Sequence, residues 1–319
     1  MDSITLEESA NHDVVRRDVG STGVRVSPIA LDGAPFGWVA GIDESSRILD
    51  VYAAGGGNFV STADHYAGGR SEIMIGSWLR TVTDRSSIVL ETRIGQHPDA
   101  AGLSKHSMLR AVENSLTRLG TDHVDFLSFD GEDPLTPIEE SLETGFRLIR
   151  EGKVRFLSAV RFSAESLRTV AEMAEESGGP AFRAVLVEYN LMARAEYERE
   201  YQEIATGMGR GALARLPLAH GYLAGEFRTR DEVPSSILFD GAARHVGRHG
   251  DRVLEALATV ARDLDETPAR VALAWVLVKP GIAAAILRAK NAVQLEHELG
   301  AMHVQLERHH VALLDRVSA

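Results

Sequence analysis

Eight short runs of β character recur along this chain, each separated from the next by a longer segment of helical period. They lie at 29–33, 58–62, 87–93, 124–130, 154–160, 184–190, 212–218 and 283–288. Strands that alternate with helices pair in parallel, because each helix carries the chain back over the sheet. Several runs are apolar on both faces, as strands between a filled barrel interior and a ring of helices must be. Eight such units predict an α/β fold of the (β/α)8 TIM barrel class. The 319 residues accommodate a barrel of roughly 250 residues plus additions, expected as one domain over 1–319.

Boundary signals sharpen this picture. Val15 to Val26, with Gly20 and Gly23 around its turn, reads as an N-terminal β-hairpin closing the bottom of the barrel. Thr136-Pro137-Ile138-Glu139 reads as a capping box with proline in the first turn, and Thr267-Pro268 opens a further helix. Gly120 is expected to stop the helix ending in SLTRL, and Gly55-Gly56-Gly57 to form a helix-to-strand turn. One long irregular stretch, His220 to Gly250, follows the seventh run and is expected to form a lid loop.

Composition removes several function classes. The net charge of −12 disfavours a nucleic-acid partner, whose phosphates need a basic surface. There is no uninterrupted apolar stretch of about 18 residues, so no membrane span is expected. Zero cysteines exclude disulfides, thiolate metal sites and cysteine nucleophiles. His245, His249, His309 and His310 lack metal-ligand spacing, so no metal is expected. The opening MDSITLEESANHD is acidic and polar, unlike a signal or transit peptide; residues 1–14 are expected to be a flexible lead-in. The expected location is the cytoplasm.

Ordered motifs run nearly the whole length: GVRVSPIALDGAPFG (23–37), NFVSTADHYAGGRSEIMIG (58–76), RAVENSLTRLGTDHVDFLSFD (110–130) and REGKVRFLSAVRFSAESL (150–167). VEYNL, RLPLAHGYLAGEF, TPARVALAWVL and ILRAKNAVQLEHEL follow. Together they resemble the aldo-keto reductase family. The resemblance implies an NADP(H)-dependent carbonyl reductase in which the lid folds over the cofactor. It also implies four catalytic residues at the strand ends. These are an Asp after strand two, a Tyr just beyond it, a Lys after strand three and a His after strand four. The Tyr protonates the carbonyl oxygen, and the Lys lowers its phenol from about 10.

At those four positions this chain reads Ser61, Tyr66, Arg93 and Asp130. Only the tyrosine matches. The sum of charges is preserved, and Asp130 stands where it could serve as the partner of Arg93. Compensation for a buried cation and a rebuilt site explain this equally well. Arginine cannot act as an acid or base near neutral pH, so Tyr66 and Asp130 remain as proton carriers, with His65 beside them as a weaker candidate. On the cofactor side, the family's nicotinamide clamp and stacking aromatic are replaced by Val160-Arg161, Leu186 and Arg215. Arg288, Lys290 and Gln294 stand where the family holds the adenosine phosphate, with Glu298 opposing one.

Losing two or three hydrogen bonds, at about 1 kcal/mol each, would weaken nicotinamide binding roughly tenfold to a thousandfold. NADP(H) is therefore implied by resemblance, while the residues point to weak or absent binding. Arg93, Arg161, Arg215 and Arg288 are expected at the ends of strands three, five, seven and eight. Convergent guanidiniums suit a small anion, unless each pairs with a local acid such as Asp32, Asp64, Glu91 or Asp130. The expectation is a barrel that binds or transforms a small anionic molecule without hydride transfer, as a non-redox enzyme or a pseudoenzyme. The alternative is an NADP(H)-dependent aldehyde or ketone oxidoreductase with Tyr66 as proton donor. Whether the chain is catalytic, and whether it is a monomer or homo-oligomer, stays open at this level.

Overall fold

The eight runs close into a barrel. The computed structural model describes residues 14–179, 181–225, 227–236 and 238–319. Its strands are β1 (Arg17–Asp18), β2 (Arg25–Val26), β3 (Ile29–Asp32), β4 (Phe59–Ala63), β5 (Val89–Ile94), β6 (Val124–Asp130), β7 (Val154–Val160), β8 (Phe182–Glu188), β9 (Gly211–Arg215) and β10 (Ile282–Leu287). β1 and β2 form an antiparallel hairpin; β3 to β10 form a closed barrel in which β10 returns to pair with β3. The expected lead-in lies outside the described residues except for Val14.

The helices are α1 (Ile42–Ala54), α2 (Arg70–Leu79), α3 (Lys105–Leu119), α4 (Ile138–Arg150), α5 (Ala164–Ser177), α6 (Gln202–Gly207), α7 (Arg248–Leu264), α8 (Pro268–Leu277), α9 (Ala292–Leu299) and α10 (Arg308–Val317). Thr267 caps α8, and Gly120 ends α3 in the left-handed region at φ 63°. The expected capping box at α4 does not form. The Thr136 hydroxyl instead donates to Asp133 at 2.8 Å, which leaves Pro137 at the cap. Strand β9 stops at Arg215, short of the expected 218, because Leu216 takes φ 53° and turns the chain out of the barrel wall.

The period of two along each strand sorts the barrel interior. On β5, Val89, Glu91 and Arg93 point inward, whereas Thr92 points outward and donates to Glu72 of α2 at 2.7 Å. On β4, Thr62 likewise meets Ser71 of α2 at 2.8 Å, leaving Phe59 and Ser61 inside. The lower interior is apolar, filled by Phe59, Val89, Phe126 and Leu213, and plugged from below by Val19, Val24 and Val26 of the hairpin. Polar and charged side chains are confined to the upper half. That division places the site at the C-terminal face of the strands.

The plug depends on one close approach. A Cβ on Gly20 (φ 54°) would stand 2.4 Å from the Gly209 carbonyl oxygen. Gly20→Ala is expected to cost about 1–3 kcal/mol of unfolding free energy by crowding, read from urea denaturation. An unchanged midpoint would mean that the hairpin is not packed against the β9 entry.

Between β9 and α7 the chain makes short turns, and Leu216, Ala219 and His220 all adopt positive φ. Leu238 and Phe239 of this lid fold over a cleft of about 530 Å³ whose far wall holds Ile286, Arg288, Lys290 and Gln294. Among the described residues no helix is long and apolar enough to cross a membrane, and no group of acidic, histidine or cysteine side chains could hold a metal.

Candidate active site

Tyr66 follows β4 in a tight turn, with Ala67, Gly68 and Gly69 at φ 52°, 65° and 86° before α2 begins. Two small glycines tolerate that path, which swings the phenol over the barrel mouth. Arg93 rises from the top of β5, 1% exposed, and donates to the Tyr66 hydroxyl oxygen at 2.7 Å and to Ser61 Oγ at 2.8 Å. Its guanidinium carbon lies 5.2 Å from the Tyr66 ring centre. Because the phenol oxygen accepts from Arg93, the phenol O–H is free to donate elsewhere.

Glu91 and Asp32 neutralise Arg93. The Nε lies 3.5 Å from Glu91 and a terminal nitrogen lies 3.6 Å from Asp32. Ser61 relays to the Glu91 carboxylate at 2.5 Å. Asp32, at the top of β3, also accepts from Arg288 Nε at 2.9 Å. Asp130 is thus not the partner of Arg93, as its position after the next strand had suggested. It is instead bound by Arg161 at 2.8 Å, and its backbone oxygen accepts from Gln96 at 2.6 Å. The reason is direction: Arg161 takes φ 57°, which turns its side chain back across the end of β6.

Three of the four strand-end guanidiniums are therefore paired. Arg215 is the exception. Among the described residues it has no carboxylate within 4.0 Å, although it stands in the electrostatic field of Tyr66, Arg93, Arg288 and Asp130. Burial, then Arg93, push its pKa below the usual arginine value. Arg215 shares a cavity of about 900 Å³ with Arg161, between the ends of β7 and β8 and the start of α5. Of the three residues expected at a phosphate, Arg288 is held by Asp32. Gln294 accepts from the Lys290 amide at 2.9 Å and donates to Glu298 at 2.9 Å. His65 packs edge-on against Tyr66 at 5.0 Å between ring centres, and its Nδ1 lies 3.4 Å from the buried Asp64 carboxylate.

The family model described as the aldo/keto reductase family matches residues 37–319. This chain belongs to the aldo/keto reductase family. It is also 30% identical over 306 residues to an Arabidopsis thaliana protein described as a probable voltage-gated potassium channel subunit beta, covering 90% of this chain and 91% of that one.

In this family member the buried acids are held in opposite directions. Burial pushes the Glu91 carboxyl above its ordinary value, and Arg93 only partly offsets that. Burial alone would raise Asp32 too, but Arg288 and then Arg93 bring it below the usual carboxylate range. A raised folded pKa means that Glu91 favours the fold below its unfolded value and loses that contribution as pH rises through the folded one. The stability difference between Glu91→Gln and the parent is therefore expected to move in the variant's favour as pH climbs from about 4 to neutrality. A pH series of urea midpoints tests this, and a flat difference would refute it.

The charged neighbours Asp32 and Glu91 had been recognised from the sequence only as local acids. The period of two on β5 was the signal that could have assigned Glu91, since it places residues 91 and 93 on one face.

Proposed function

We propose that this aldo/keto reductase barrel binds a small anionic molecule at Arg215, beside the Tyr66 hydroxyl, and handles it without hydride transfer. The carrying observation is that Arg215 has no ion-pair partner among the described residues, whereas Arg93, Arg161 and Arg288 each have a carboxylate. A half-buried, unpartnered guanidinium is costly to keep, and an anion making two charge-assisted hydrogen bonds would offset that cost. Ser61, Arg93 and Asp32 act in this reading as the frame that orients Tyr66, and Asp130 orients Arg161.

The family usually binds NADP(H), but the residues here fit it poorly. Of Arg288, Lys290 and Gln294, the residues expected at a phosphate, Arg288 already serves Asp32 and Gln294 the α9 turn. A guanidinium, Arg215, occupies the place where the resemblance puts the aromatic that stacks on nicotinamide. A relative named as a channel subunit is consistent with a family member working through binding. The proposed partner is thus a small molecule, and the net charge of −12 speaks against nucleic acid.

The test is a pair of titrations. Inorganic phosphate or a short carboxylate is expected to raise the melting temperature saturably, while NADPH leaves the fluorescence of Trp38, Trp78 and Trp275 unquenched. Saturable quenching at micromolar NADPH, with turnover of aldehydes that Tyr66→Phe abolishes, would establish the oxidoreductase reading instead.

A further inference from the structure

The cavity that holds Arg215 has an acidic rim opposite its basic one. Its charged lining consists of Arg161, Glu188, Glu196 and Arg215. Two of these are satisfied within the protein. Arg161 is bound to Asp130 at 2.8 Å, and Glu188 accepts from Arg244 at 2.5 Å. The other two, Arg215 and Glu196, have no ion-pair partner among the described residues, and they stand more than 4.0 Å apart.

Glu196 immediately precedes the π-helical turn Tyr197–Tyr201, at the exposed lip of the cavity. Its carboxylate lies 3.4 Å from the Tyr201 hydroxyl, whose single proton is given to the Phe162 carbonyl at 2.8 Å. The Tyr201 phenol is pushed up to about 12, by burial first and by the nearby Glu196 carboxylate next. Phe162, Leu167 and Leu186 line the same cavity and present hydrocarbon. One unpaired cation, one unpaired anion and apolar surface thus face a single space of about 900 Å³.

We propose that this cavity takes a zwitterionic amino carboxylate, its carboxylate on Arg215, its ammonium on Glu196 and its carbon chain along Phe162, Leu167 and Leu186. The inference rests on Arg215 as the anion site and adds the class of ligand. A plain carboxylate would satisfy only Arg215, and an alkylamine would meet the field of the guanidiniums. A chain bearing both charges complements both rims, with the hydrocarbon buried between them. Because Glu196 is solvent-exposed, its contribution is modest, about two- to fivefold in affinity.

The experiment is calorimetry on the full chain with matched pairs of probes: propanoate to hexanoate, each against the same acid carrying a terminal amino group. For the chain length that fits best, the amino acid is expected to bind about two- to fivefold more tightly than the plain acid. Glu196→Gln is expected to bring that ratio to about one. Equal or weaker binding of every amino acid, with the plain acids still binding, overturns the zwitterion while leaving the anion reading intact. A ratio that survives Glu196→Gln overturns the assignment of the ammonium to Glu196. Failure of every carboxylate to bind overturns the zwitterion, and failure of inorganic phosphate as well overturns the anion reading.

Discussion

Replacing Arg93 by methionine is expected to lower the unfolding free energy by about 3–5 kcal/mol, the cost of leaving buried charge unpaired. Arg93 is among the largest fully buried side chains, and its removal strips Glu91 of its cation. Asp32 would suffer less, since Arg288 still holds it at 2.9 Å. Glu91, already pushed up by burial, can take a proton in the variant, so the loss should be smallest in acid and grow as pH rises. Adding Glu91→Gln to Arg93→Met should therefore recover part of the loss, and a double-mutant cycle measures the coupling directly. Urea midpoints for the four proteins settle the matter. A single-variant loss below about 1 kcal/mol would mean that the interior charges are not coupled as the geometry indicates.

Arg215→Met should do the opposite to stability. Its guanidinium has no carboxylate within 4.0 Å among the described residues, and burial together with Arg93 pushes its pKa down, so the charge is a burden to the fold. Methionine keeps the hydrocarbon stem and removes the charge. The melting temperature of the variant is expected to equal or exceed that of the parent. Affinity for phosphate or a short carboxylate should fall about tenfold to a hundredfold, which corresponds to about 1.5–3 kcal/mol for a charge-assisted contact. Calorimetry and thermal melting read the two effects separately. A destabilised variant with unchanged anion affinity would rule out Arg215 as the ligand-binding group. A destabilised variant without anion affinity would show a structural role for its charge that no ion pair explains.

Tyr66 and Arg93 were legible in the sequence because the motifs resembling the aldo-keto reductase family mark their positions after the second and third strands. The partners of Arg93 were not. Ser61 and Glu91 are 30 positions apart and Asp32 and Arg288 are 256 apart, and both contacts depend on the stagger of barrel strands at ångström precision. The turn at Arg161 was equally hidden, since a positive φ in a residue other than glycine leaves no local signature. The Thr136 cap failed for a similar reason: a nearby carboxylate, Asp133, competed for the hydroxyl.

The order of strands, the hairpin that plugs the barrel and membership of the aldo/keto reductase family were determined by the sequence alone. Each follows from local periodicity and from motifs that the chain carries in a fixed order. Which acid neutralises which arginine, and therefore that Arg215 is left over, was decided only by the tertiary structure. Charges attract over several ångströms in any direction, so their pairing depends on how the closed barrel brings distant strand ends together.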